Sequence, residues 1–126
     1  MTIAEDNWNL IKKFTNLTLE DIEKQFVQIF PDLANKIIDD IYGSAYRRKH
    51  ISMKTRHLIT IGIISAMGGC ENQLQFQLKA ALSLGITPEE IREAFIQVAV
   101  FAGNARAINS ATIFHSILTE EKINND

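Results

Sequence analysis

Apolar residues recur along this chain at the spacing of helix faces, and no segment shows the strict alternation expected of a half-buried strand. Ile22, Phe26 and Ile29 form one such series, and Thr18 just before it is a residue type that caps helix N-termini. Pro31 follows the series and suits the first turn of a further helix. The pattern predicts an all-α fold.

The clearest helix boundary is the segment Thr87-Pro88-Glu89-Glu90. It combines a capping threonine, a proline at the first helical position and a glutamate that can accept a hydrogen bond from the N–H of the cap. It predicts a helix over residues 88–102, which Gly103 ends. Further helices are expected from Pro31 to Gly43 or Arg48, from Ser52 to the Gly68-Gly69 pair, from about Glu71 to Leu84, and from about Asn104 to Leu118.

Two of the predicted helices contain stretches that are apolar on nearly every side, residues 58–67 and 95–102. A chain of 126 residues is too short to bury that much apolar surface by itself. Packing between subunits would cover it, so we expect a homo-oligomer.

Length and composition fit a single domain, because 126 residues with 46% hydrophobic content include no Pro-, Gly- or Ser-rich linker. Residues 1–30 are expected to form a helical extension and residues 31–118 the core. A net charge of −2 and a pI of about 5.9 offer no broad basic surface for nucleic acid. The longest apolar stretch is about half a membrane span, the N-terminus lacks the pattern of an export signal, and Cys70 is the only cysteine. We therefore expect a soluble cytoplasmic protein without membrane contact.

The segment from Leu74 to Phe114, which includes AALSLGITPEEIREAF, resembles the core of the carboxymuconolactone decarboxylase family. The resemblance extends back to about Pro31 and includes the Lys54-x-Arg56-x-Leu58 helix. It implies an alkylhydroperoxidase D-like domain of about six helices that assembles as a trimer or hexamer and binds a small molecule. The residues that match are Ala80, Ala81, Gly85, Thr87, Glu90, Ile91, Ala102 and Gly103.

Decarboxylases of this family act on a carboxylated muconolactone, and loss of CO₂ requires a cation for the negative charge and a proton carrier for carbon. The resemblance places the substrate-binding cations at Arg48 and Arg56. The family histidine is replaced by Gln77, whose amide binds but does not exchange protons. His57 or His50 would then move the proton, with Gln77 orienting the ligand. The alternative for each of these residues is a structural or solvent-exposed side chain without a role in catalysis or binding.

Cys70 suggests a different chemistry, because a second branch of this superfamily carries Cys-x-x-Cys followed four residues later by histidine. Here the motif reads Cys70, Gln73 and Gln77, so only the first cysteine is present. A one-cysteine peroxidase that uses an external thiol is one interpretation, and a packed structural cysteine is another. A third is a binding or assembly protein without catalysis. The histidine spacing predicts no metal site, and we expect no other cofactor.

Overall fold

The computed structural model describes the backbone of residues 3–125 and the side chains of residues 3–121. All regular elements in this part of the chain are helical, which confirms the predicted all-α class. The α-helices are α1 (Glu5–Ile11), α2 (Leu19–Ile22), α3 (Pro31–Ile41), α4 (Met53–Met67), α5 (Glu71–Ser83), α6 (Pro88–Ala102) and α7 (Asn104–Asn125). A π-helical turn, Glu23–Val27, continues α2, and a 3₁₀ turn, Ala45–Arg47, follows α3. Within the described residues, none of the helices has the length and apolarity to cross a bilayer.

The chain divides into two compact units, one up to Met53 and the other from Lys54 onward. In the first unit, the ring of Phe14 meets the rings of Tyr42 and Tyr46 edge-on, with centroids 5.2 and 5.1 Å away. Arg47 Nε donates to the backbone oxygen of Tyr42 at 2.8 Å, and its Nη2 donates to Asn7 Oδ1 at 3.2 Å. These contacts hold α1, α3 and the 3₁₀ turn together, so they position the loop that begins at Arg48.

The predicted series of Ile22, Phe26 and Ile29 is interrupted by the π-helical turn. Gln28 N donates to Glu23 O, a bond that spans five residues instead of four. Val27, the last residue of this wider turn, is buried, whereas Ile29 beyond it is 79% exposed. The helical spacing therefore identifies the buried residue at Ile22 and misplaces the ones that follow.

The second unit has a core in which α7 packs against both α5 and α6. Phe95 and Phe114 pack edge to face at 6.0 Å, within a buried cluster that also contains Ile61, Leu74, Leu78, Ala81, Ile86, Ile91 and Ile117. The predicted capping box is confirmed: Glu90 N donates to Thr87 Oγ1 at 3.1 Å, and Thr87 N donates to Glu90 Oε1 at 3.0 Å. These bonds fix the start of α6.

Groups of apolar side chains remain exposed along α4 and α6 of the second unit. Ile59, Ile63 and Met67 recur every four residues along α4 and are 50–59% exposed. On α6, the exposed apolar residues are Ile96, Val100 and Phe101, at 60–82%. We name these groups the α4 stripe and the α6 patch. They agree with the expectation that these helices carry more apolar surface than one chain covers.

Candidate functional site

Arg48 lies on a basic cleft in the first unit. The cleft has a volume of about 620 Å³, and its lining includes Lys13, Arg47, Arg48 and Lys49, with Asp6 as the acidic member. Arg47, Arg48 and Lys49 are all exposed, and Arg47 also makes the hydrogen bonds described above. A volume of this size suits a small metabolite, and the surplus of cations suits an anionic one.

His57, the predicted proton carrier, is fully buried on α4. Its Nε2 lies 2.7 Å from the backbone oxygen of Gln77 on α5. Because a carbonyl oxygen only accepts hydrogen bonds, Nε2 carries the proton of the neutral ring. Burial lowers the pKa of the His57 imidazole below its ordinary value, and the hydrogen bond to Gln77 opposes part of that shift. The structure thus joins His57 and Gln77 through the backbone of Gln77, and it favours an uncharged imidazole.

The remaining predicted residues have varied surroundings. Arg56 is half-buried beside His57 in the sequence, but adjacent helical residues point about 100° apart, so the two side chains face different directions. The side chain of Gln77 is also half-buried. His50 is exposed in the first unit and His115 is exposed on α7. Among the residues described by the structure, no three His, Cys, Asp or Glu side chains are grouped as metal ligands.

Cys70 is half-buried at the N-cap of α5, where its side chain makes no capping hydrogen bond. It lines a small cleft of about 50 Å³ in the second unit. Ser65, Arg106 and Ser110 line the same cleft, and both serines are 2% exposed. We name this the Cys70 cleft. It is a polar recess inside a mainly apolar group of helices.

Of the residues that line this cleft, Cys70 was predicted from the sequence, whereas Ser65, Arg106 and Ser110 were not. One signal was available, because Ser65 is a small polar residue in the apolar run LITIGIISAM, where a buried position requires a hydrogen-bond partner. Arg106 and Ser110 carry no comparable signal. Their proximity to Ser65 depends on how α7 packs in the second unit.

Comparison with known proteins agrees with this fold. The model of the carboxymuconolactone decarboxylase family matches residues 31–115. An uncharacterized 15.0 kDa protein of Paracoccus denitrificans is 30% identical over 108 residues, which cover 84% of this chain and 81% of that protein. A 4-carboxymuconolactone decarboxylase of Acinetobacter baylyi is 28% identical over 120 residues, covering 91% and 86%. A nitrosuccinic acid decarboxylase of Metarhizium robertsii is 30% identical over 83 residues, covering 66% and 54%.

Proposed function

The chain belongs to the carboxymuconolactone decarboxylase family, and from this membership we propose that it decarboxylates a small organic acid. Two relatives are named for such reactions, one on 4-carboxymuconolactone and one on nitrosuccinic acid. Both substrates carry a carboxylate together with a second electron-withdrawing group, a lactone carbonyl or a nitro group. Such a group can accept the electron pair that the C–C bond leaves behind when CO₂ departs. We propose a substrate of this chemical class.

The observation that carries this proposal is the basic cleft at Arg48. A substrate carboxylate needs a cation to bind it, and a guanidinium can do so with two parallel hydrogen bonds. Arg48 and Lys49 are exposed there beside Lys13, in a volume that suits a small metabolite. Arg56 is a second proposed substrate-binding cation, on the evidence of its match to the family helix and its partial exposure.

The proton for the product carbon has two proposed sources. His57 lies next to the position of the family histidine, but its buried Nε2–H is already donated to Gln77 O. His50 is exposed in the first unit. The variants His57→Gln and His50→Gln distinguish these two sources, because substitution of the residue that carries the proton should lower kcat by about 10²–10⁴-fold. The other substitution should leave kcat nearly unchanged.

We also propose that the chain acts as a homo-oligomer. Support comes from the α4 stripe and the α6 patch, whose side chains are at least half exposed. Contiguous exposed apolar surface of this kind commonly marks a contact between proteins.

The test of activity is release of ¹³CO₂ from carboxyl-labelled 4-carboxymuconolactone and nitrosuccinate. Arg48→Gln should raise KM about tenfold or more, because a charge-assisted hydrogen bond is lost. The matched control is Lys36→Gln, an exposed cation on α3 that pairs with Asp40. Gln77→His should raise kcat, by up to about 10²–10⁴-fold if the family histidine is the missing proton carrier. Absence of CO₂ release from both acids, with the natural chain and with folded Gln77→His, would refute the proposed function.

A further inference from the structure

Ser65 is a buried hydroxyl without a hydrogen-bond partner. Its side chain is 2% exposed, and its Oγ forms no hydrogen bond within the described residues. Four other hydroxyls of the second unit are paired: Thr60, Thr112, Ser116 and Thr119 each donate to the backbone oxygen four residues earlier. A buried polar group left unpaired is unfavourable and calls for a specific explanation. Because Ser65 lines the Cys70 cleft, a ligand in that cleft is a candidate partner.

Arg106 brings a positive charge to this cleft. A Cβ placed on Gly68 would lie 1.5 Å from Arg106 Nη1, so the guanidinium rests against the glycine turn. Gly68 also has a φ of +69°, which glycine adopts without strain. Among the described residues, no carboxylate forms an ion pair with Arg106. Arg106 is exposed and lines the cleft without an ion-pair partner among the described residues.

The N-terminus of α5 adds hydrogen-bond donors. The helix has 13 residues and begins at Glu71, and the N-cap residue Cys70 gives it no side-chain cap. The first backbone N–H groups of a helix have no partner within the helix, and the helix dipole makes this end positive. Cys70 and Glu71 both line the cleft. An anion in the cleft would thus meet a helix N-terminus as well as Arg106.

From these features we propose that the Cys70 cleft binds the carboxylate of a small organic acid. One water needs about 10–15 Å³ of such volume, so about 50 Å³ has room for roughly four heavy atoms, the size of acetate. Arg106 suits a planar carboxylate, and the Ser65 hydroxyl would donate the hydrogen bond that it lacks in the protein. Glu71 opposes the binding by its charge, which disfavours a dianion. The inference does not rest on decarboxylation, because binding is measured without turnover.

The test uses Cys70 as a reporter at the edge of the cleft. Iodoacetate and iodoacetamide both alkylate a thiolate, forming an S–C bond with loss of iodide, but only iodoacetate carries a carboxylate. For Cys70 we expect the alkylation rate with iodoacetate, divided by the rate with iodoacetamide, to be about tenfold larger than the same ratio for glutathione. The rate with iodoacetate should saturate as the iodoacetate concentration rises, and acetate should lower it by competition. The proposal would be overturned by a rate ratio equal to that of glutathione, together with an iodoacetate rate that rises linearly with concentration and is not lowered by acetate.

Variants that change the charge near the cleft test whether acetate binding depends on Arg106 and Glu71. Arg106→Gln should weaken acetate binding about tenfold, whereas Glu71→Gln should strengthen it, because it removes an opposing charge. Arg92→Gln, at an exposed position of α6, changes the net charge equally and should have no effect. Ser65→Ala should weaken binding without lowering Tm, which separates a ligand contact from a structural one. Equal effects of Arg106→Gln and Arg92→Gln would count against the site.

A second measurement applies if Cys70 alkylates too slowly. Titration of the ¹⁵N-labelled protein with acetate, at constant ionic strength, should move the backbone amide signals of Gly69, Cys70 and Glu71 with a single saturating Kd. Chloride over the same range should not produce these shifts. Shifts that are absent, or identical for acetate and chloride, would show that the cleft holds water only and would refute the proposal.

Discussion

Assembly through the α4 stripe gives a quantitative prediction. Ile63 is the middle residue of the stripe and is 54% exposed, with Ile59 and Met67 one turn to either side. Ile63→Asp removes the central apolar contact and places a carboxylate in any interface that forms there. We expect this single change to dissociate the oligomer while α4 stays folded, because an exposed helix position accepts aspartate at a small cost.

The exposures set the size of the effect. Full burial of a large aliphatic side chain is worth about 1.5–3 kcal/mol, so three half-exposed side chains represent about 3 kcal/mol per subunit. Two facing stripes then offer about 6 kcal/mol, against an association cost of about 4–15 kcal/mol. The α4 stripe alone therefore gives weak association at best. The α6 patch, with Phe101 82% exposed, offers about 4 kcal/mol more per subunit, so both surfaces are needed.

Gel filtration with light scattering measures the outcome. The natural chain at micromolar concentration should form one species larger than a dimer, and Ile63→Asp and Val100→Asp should each run smaller. Gln75→Asp, at an exposed polar position of α5, adds the same charge outside both surfaces and should leave the mass unchanged. A monomeric natural chain, or an oligomer that survives both Ile63→Asp and Val100→Asp, would show that these surfaces do not drive assembly.

Further predictions concern stability, measured as the free energy of unfolding in urea. Thr87→Ala should lower it by about 1 kcal/mol through loss of the α6 cap, and a change below 0.3 kcal/mol, taken as a rough detection limit, would contradict this role. Leu78→Ala should lower it by about 2–5 kcal/mol, because Leu78 is fully buried. Ser65→Ala should leave it unchanged or raise it, because an unpaired buried hydroxyl is removed. The free energy of unfolding should also decrease as the pH is lowered below about 6.5. Folding lowers the pKa of His57, so the unfolded chain binds the proton at a higher pH than the folded chain does. His57→Gln should remove that dependence, and an unchanged pH profile in the variant would assign it to other groups.

Local signals in the sequence predicted the helices whose ends are chemically marked. The capping box at Thr87 and the proline at Pro31 place the starts of α6 and α3 at the observed residues. The N-terminal extension was expected to be helical, but the bounds of α1 were not predicted, because its N-cap is Ala4, which provides no capping side chain. Helix α7 extends to Asn125, beyond the predicted end near Leu118. The end was predicted too early because the last residues lack apolar periodicity, although several of them are residue types that favour helix. Helix ends with a capping residue or a proline were thus predictable from the sequence, and helix ends without such a residue were not.

Candidate site residues were predicted from the family resemblance, and their contacts were not. The bond between His57 and Gln77 joins residues 20 positions apart and uses a backbone oxygen, so no side-chain pattern records it. The Cys70 cleft likewise depends on Arg106 resting against Gly68, which requires the packing of α7 near the turn before α5. Sequence motifs report residue types at fixed spacing along one element. Contacts between elements follow from packing.

Helix α5 carries both residues for which the sequence resemblance suggested a chemistry, because Cys70 is its N-cap and Gln77 lies seven residues further. Seven residues are about two turns, so the two positions share one helix face but lie about 10 Å apart along the axis. A four-atom acid in the Cys70 cleft is too short to span that distance. Carboxylate binding beside Cys70 and proton transfer at the position of Gln77 would therefore be separate events on one helix. Arg106→Gln should then weaken acetate binding about tenfold while the decarboxylation rate stays constant, and a parallel loss of both would show that a longer substrate connects the two positions.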